Sequence, residues 1–126
     1  MKRSKYFLFI AVLAIVTNAL NAQDKVKNNI LPGSWMGKLS ADGTELRVVF
    51  NLKLVQKDSL IVTLDSPDQG AKDIPAGPVV VENQKIIIKA PGINGQYDGT
   101  VTSDSTITGT WSQNGGTLPL DIKKQK

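Results

Sequence analysis

The sequence predicts an all-β fold, a small antiparallel up-and-down β-barrel of about eight short strands behind a cleavable signal peptide. Three observations carry that prediction. Apolar and polar residues alternate with period two over most of residues 33–122, and no stretch shows the 3.6-residue apolar period of a helix. Turn dipeptides recur at short intervals, Asp42-Gly43, Asn94-Gly95 and Asn114-Gly115 among them. The length of 126 residues fits a single domain, and a meander of hairpins that short must curl and close to hide its edges.

The first segment reads as an export signal. Lys2, Arg3 and Lys5 precede an apolar run from Tyr6 to Val16, and the small residues around Ala19 and Ala22 supply a cleavage site. The run is shorter than the roughly 20 residues a membrane span needs. Residues 1–22 are therefore expected to be the signal peptide, residues 23–30 a polar leader, residues 31–122 the barrel and residues 123–126 a basic, solvated tail. No Cys is present to carry a lipid anchor. The expected product is periplasmic or secreted, with no stable membrane insertion after cleavage.

Each strand follows in order. Gly33 to Ser40 places Trp35, Gly37 and Leu39 on one face, and Asp42-Gly43 turns the chain. Thr44 to Leu54 is the cleanest alternation, with Leu46, Val48, Phe50, Leu52 and Leu54 facing one way and Glu45, Arg47, Asn51 and Lys53 the other. Leu60, Val62 and Leu64 continue the inner face. Asp65 to Pro78, with three prolines and two glycines, reads as a loop that interrupts the strands. Val79 to Val81 and Lys85 to Lys89 form the next hairpin about Glu82-Asn83. Tyr97, Gly99 and Val101 face inward on the strand opened by Asn94-Gly95, and Ile107, Gly109 and Trp111 do so after the turn at Ser103-Asp104. Leu118, Leu120 and Ile122 complete the set on one last strand. Gly37, Gly99 and Gly109 on the inner face mark bends where a coiled sheet closes on itself.

Composition excludes several chemistries. With no His and no Cys there is no Ser-His-Asp or Cys-His nucleophile system, no thiolate metal site and no disulfide framework. The net charge of +4, from 15 Lys+Arg against 11 Asp+Glu, points at first to an anionic partner. Losing Lys2, Arg3 and Lys5 with the signal leaves 12 basic against 11 acidic residues, a net of +1. No basic cluster interleaved with aromatics remains, so no nucleic-acid partner is expected.

Two sets of residues are candidates for a site. The first is the inward aromatic set Trp35, Phe50, Tyr97 and Trp111, the residues that would line a ligand cavity. Buried area alone accounts for both Trp rings as core, and the first and last strands of a closed meander would bring them to one end of the barrel. Apart from Tyr97 the inner face offers almost nothing to orient a polar molecule, so a packed core is expected, with an apolar ligand such as a fatty acid as the binding option. The second is the loop carrying Asp65, Ser66, Asp68, Gln69 and Asp73. Its spacing does not match a calcium loop, and no metal or other cofactor is expected. Its carboxylates are expected to make local backbone hydrogen bonds, not to act as a general acid/base pair.

Two resemblances bear on function. The Gly-x-Trp pattern of Gly33-Ser34-Trp35, echoed by Gly109-Thr110-Trp111, is similar to the first strand of lipocalins and avidins, whose barrels hold small ligands. Thr44-Glu45-Leu46-Arg47-Val48-Val49-Phe50, Asp65-Ser66-Pro67-Asp68-Gln69-Gly70-Ala71 with Ile74-Pro75, and Gly109-Thr110-Trp111-Ser112-Gln113 with Leu118-Pro119-Leu120 resemble the N-terminal β domain of certain secreted bacterial α/β-hydrolases, across essentially the whole mature chain. In that family the chemistry lies in a following domain with a Gly-x-Ser-x-Gly elbow. No such elbow occurs here. The resemblance thus implies a non-catalytic accessory module whose partner is a hydrolase or another envelope protein. The alternative is a lipocalin-like carrier of a small apolar ligand.

Overall fold

The computed structural model describes residues 30–56 and 59–126; the expected signal peptide and, apart from Ile30, the polar leader lie outside them. The described chain is all-β and antiparallel. Its strands are β1 (Gly33–Ala41), β2 (Thr44–Val55), β3 (Ser59–Ser66), β4 (Ala71–Ala76), β5 (Val79–Glu82), β6 (Lys85–Ala90), β7 (Gly95–Ser103), β8 (Thr106–Gln113), β9 (Gly116–Pro119) and β10 (Ile122–Lys124). Single 3-10 turns, Pro67–Gln69 and Pro91–Ile93, lead into β4 and β7. Asp42-Gly43 and Asn114-Gly115 turn their hairpins with both residues at positive φ, the geometry that matches strand twist.

The sheet order is β4-β3-β2-β1-β10-β8-β7-β6-β5, with β9 also on β8. Two four-stranded meanders, β1 to β4 and β5 to β8, are thus joined through the three residues of β10, where Gly37 pairs Ile122 and Ile122 pairs Ile107. The sheet coils but does not close, which corrects the expected closed barrel. Its edges are β4 and β5, and the chain crosses between them through Gly77-Pro78. There the Gly77 N–H donates to the Lys89 carbonyl and the Lys89 N–H to that of Pro78, so this corner bonds to the end of β6 and not to β4.

Two further differences from the eight expected strands have physical causes. Ala71–Ala76 lies in the stretch read as a loop, yet it pairs with β3, with Pro75 opposite Thr63. An edge strand has a free side, so a proline without an N–H is tolerated there. The last strand is broken into β9 and β10 because Asp121 departs from the ladder: Leu120 N–H still bonds the Gly109 carbonyl, but the Gly109 N–H turns to the Asp121 carboxylate at 3.3 Å. The break lies against Gly37, where a Cβ would run into the Asp121 carbonyl and approach the Leu120 side chain to 2.7 Å. β10 also takes in Lys123 and Lys124, which the sequence reading placed in a solvated tail.

The alternation sets the core as read. Val48, Phe50 and Leu52 of β2, Val62 and Leu64 of β3, Tyr97 and Val101 of β7, and Ile107 and Trp111 of β8 are all buried. Tyr97, fully buried, donates its hydroxyl to the Leu120 carbonyl at 2.8 Å. Burial, with Asp121 adding to it, pushes that hydroxyl well above the ordinary tyrosine range, so it stays a donor at any working pH.

Candidate functional site

The aromatic set divides. Phe50 lies at the centre, its ring centroid 5.1 Å from Tyr97 and 6.2 Å from Trp111. Trp35 is elsewhere. On the level where Gly37, Ile122 and Ile107 pair, β1 and β8 run in the same direction; Trp35 lies two residues before that level and Trp111 four beyond it. Six residues of strand separate them, about 20 Å at the usual rise, so they do not plug one end together. Trp35 closes its own end, donating Nε1–H to the Leu31 carbonyl at 2.9 Å beneath the Lys124 ammonium, 5.6 Å from its ring.

Trp111, in contrast, borders a hollow. A cavity of about 320 Å³ opens at the end of the sheet that carries the Asp42-Gly43 and Asn114-Gly115 turns. Its apolar wall comes from Leu39, Leu46, Val48, Leu64, Ile74 and the Trp111 ring, and its polar lip from Asp65, Ser66, Gln69 and Gln113. A second hollow of about 340 Å³ adjoins it, sharing Leu39, Leu46, Trp111 and Gln113. The lower half of the molecule is filled by Trp35, Phe50 and Tyr97, so the interior is neither wholly packed nor a deep calyx.

Local sequence explains how each wall is placed. Leu39 and Leu46 face each other across the Asp42-Gly43 hairpin. Gly95 leaves room for the Trp111 ring, since a Cβ there would lie 2.5 Å from it. Trp111 Nε1 donates to Gln113 Oε1 at 3.0 Å, and Gln113 Nε2 donates to the Ile93 carbonyl at 3.0 Å. That relay fixes the ring and ties the Pro91–Ile93 turn to β8. Trp111 and Gln113 are two apart on one strand, so the period-two pattern could have found Gln113 as a wall residue.

The Asp65 to Asp73 segment forms the opposite lip, with its aspartates in separate roles. Asp68 reaches back to β2: it accepts from the Arg47 backbone N at 2.7 Å and from the guanidinium Nη2 at 2.8 Å and Nε at 3.2 Å. The Arg47 side-chain and backbone hydrogen bonds hold the Asp68 carboxyl down to about 2. Asp65 accepts from the Asp73 N–H at 2.8 Å and from Asn51 Nδ2 at 3.1 Å, which turns its carboxylate towards the outer face where Asn51 also takes the Ser34 hydroxyl. Asp73 enters through its backbone, at φ 56°. Ser66 Oγ donates to Gln69 Oε1 at 2.7 Å. Among the described residues no group of three or more acidic side chains is placed to hold a metal ion.

Sequence reasoning missed Arg47 as the partner of Asp68, because 21 residues and a pair of strands separate them. Phe50 and Tyr97, expected as cavity residues, do not line the hollow; they support Trp111 from below. The Arg47–Asp68 pair gives one prediction. Because the folded state depresses Asp68, its contribution is present above the ordinary carboxylate value of about 4 and is lost as pH falls through about 2. NMR titration should find Asp68 as the most acidic carboxyl measured, and Arg47→Met should return it towards the ordinary value; an unshifted Asp68 in the native protein would dissolve the latch.

Comparison of the chain with protein-family models, with curated proteins and with solved structures finds no match. Among the described residues no helix is long and apolar enough to cross a membrane.

Proposed function

We propose that the protein is a non-catalytic, exported binding protein that holds a small apolar molecule in the mouth beside Trp111. The observation that carries this reading is the cavity of about 320 Å³ with an apolar wall and a few convergent polar groups at its lip. Its size is about twice the ~150 Å³ hollow that admits benzene in another protein, so a one- or two-ring molecule or a short alkyl chain fits it. The fixed Trp111 ring gives the ligand a flat surface, and Leu39, Leu46 and Ile74 complete an apolar enclosure. Export rests on the signal-peptide pattern of residues 1–22, in which Lys2, Arg3 and Lys5 precede an apolar run. The cavity favours carriage over the accessory-module role implied by the hydrolase resemblance, because docking to a protein does not require a hollow lined by apolar side chains.

Titration with the neutral fluorophore N-phenyl-1-naphthylamine tests the reading. Saturable enhancement is expected with a Kd on the order of 100 μM or tighter, accompanied by a change in Trp emission that Trp111→Phe removes. Ala71, at the start of β4, also lines the hollow; Ala71→Phe, which fills it from that side, should weaken binding at least about tenfold while leaving the unfolding midpoint near that of the native chain. Absence of saturation, or equal binding by a stably folded Ala71→Phe variant, would sink the proposal.

A further inference from the structure

We infer that the mouth selects an electrically neutral ligand with a hydrogen-bonding head, an alcohol, amide or ketone on an apolar body, and disfavours a fatty acid of the same length. This inference rests on the binding role proposed above and narrows its ligand class. Among the described residues no Lys or Arg lines either hollow at this end. The nearest guanidinium, Arg47, is on the outer face of β2 and is committed to Asp68 through both Nε and Nη2. A carboxylate head would therefore enter the lip without a counter-charge, and removing a charge from water without a partner is costly. Asp65 is the one ionisable residue among the described residues of the wall, and both its carboxylate oxygens are engaged on the outer side, by the Asp73 N–H and by Asn51. It is not presented to the mouth, so an ammonium head would likewise leave water without a partner there.

What the lip does present is neutral. Gln69 receives the Ser66 hydroxyl on Oε1, so its Nε2 donors remain free, while Ser66 Oγ keeps its acceptor capacity. Gln113 spends one donor on Ile93 and one acceptor site on Trp111 Nε1, and retains one of each. A hydroxyl or amide head can both donate and accept across this arrangement. The Arg47–Asp68 latch holds the 66–69 segment that carries two of these three groups, which pre-organises the lip for the head group.

The experiment is a matched series of 1-octanol, octanoate and octylammonium, each followed by Trp emission and by calorimetry on the mature protein at neutral pH. Octanol is expected to bind at least about tenfold more tightly than either ion, and Gln69→Leu to weaken octanol several-fold, up to about tenfold, without changing the unfolding midpoint. Octanoate or octylammonium binding as tightly as octanol overturns the neutral-ligand inference but leaves the binding role standing. If none of the three binds, and N-phenyl-1-naphthylamine does not either, the binding role falls with it.

Discussion

Trp35→Ala is expected to destabilise the protein by about 3 to 5 kcal/mol in urea unfolding, the range for large aromatic truncations in a packed core. Trp35 has no exposed surface, pairs in register with Phe50, and caps the end of the core away from the cavity. Its loss would also orphan the Leu31 carbonyl and remove the ring beneath Lys124, whose ammonium otherwise donates to the Ile30 carbonyl. Trp111→Ala should cost less than Trp35→Ala, since its ring already borders a hollow and truncation enlarges an existing opening in place of creating a sealed one. The two Trp residues of one chain therefore carry different roles, core at one end and wall at the other. A cost below about 1 kcal/mol for Trp35→Ala would mean that this end is not core, the threshold being what surface substitutions typically do.

Deleting Ile122 to Lys126 is expected to abolish cooperative folding. β10 is three residues long, but it is the strand that pairs both β1 and β8 and so joins the two meanders. Losing the buried Ile122 removes about 2 to 5 kcal/mol, and each backbone group it leaves unpaired in the interior adds about 1 to 3. Together these reach the whole stability of a small domain, about 5 to 15 kcal/mol. Removing only Gln125 and Lys126 gives up the Gln125 N–H bond to the Ser34 carbonyl and leaves β10 in place, so that shorter variant should keep a sharp transition. Near-ultraviolet circular dichroism separates the outcomes: a native aromatic signal after the longer deletion would show that the meanders associate without β10.

Much of this fold is legible because alternation is a local property. β2 announces its inner face residue by residue from Leu46 to Leu52, and the dipeptides Asp42-Gly43 and Asn114-Gly115 fix where hairpins turn. What was not legible is non-local. Nothing near Ala71 says that an edge of β3 is waiting for it, so a proline- and glycine-rich stretch read as loop became β4. Nothing near Asp121 says that Gly109 will take its carboxylate and break the final strand in two. The site shows the same division: Trp111 was found from its face, and Asp65, Ser66 and Gln69 from their composition. That the two sets meet at one mouth depends on how far the sheet coils.

The open seam and the ends of the chain stand in a complementary relation. Between β4 and β5 the ladder is interrupted, and the covalent link Gly77-Pro78 spans the gap. Between Ile30 and Lys124 no covalent link joins the first and last strands of the described body, and hydrogen bonds span the gap: Lys124 Nζ to the Ile30 carbonyl, and the β1–β10 pairs beside it. Each break is thus bridged by the other kind of bond. A cut at any hairpin tip would leave every seam bridged once, whereas a cut at Gly77-Pro78 would place both interruptions on one line and free the coiled sheet to unroll. Ile30 and Lys124 lie side by side in the folded body, so residues 30–126 can be spliced into the surface loop of another protein without parting the strands on either side.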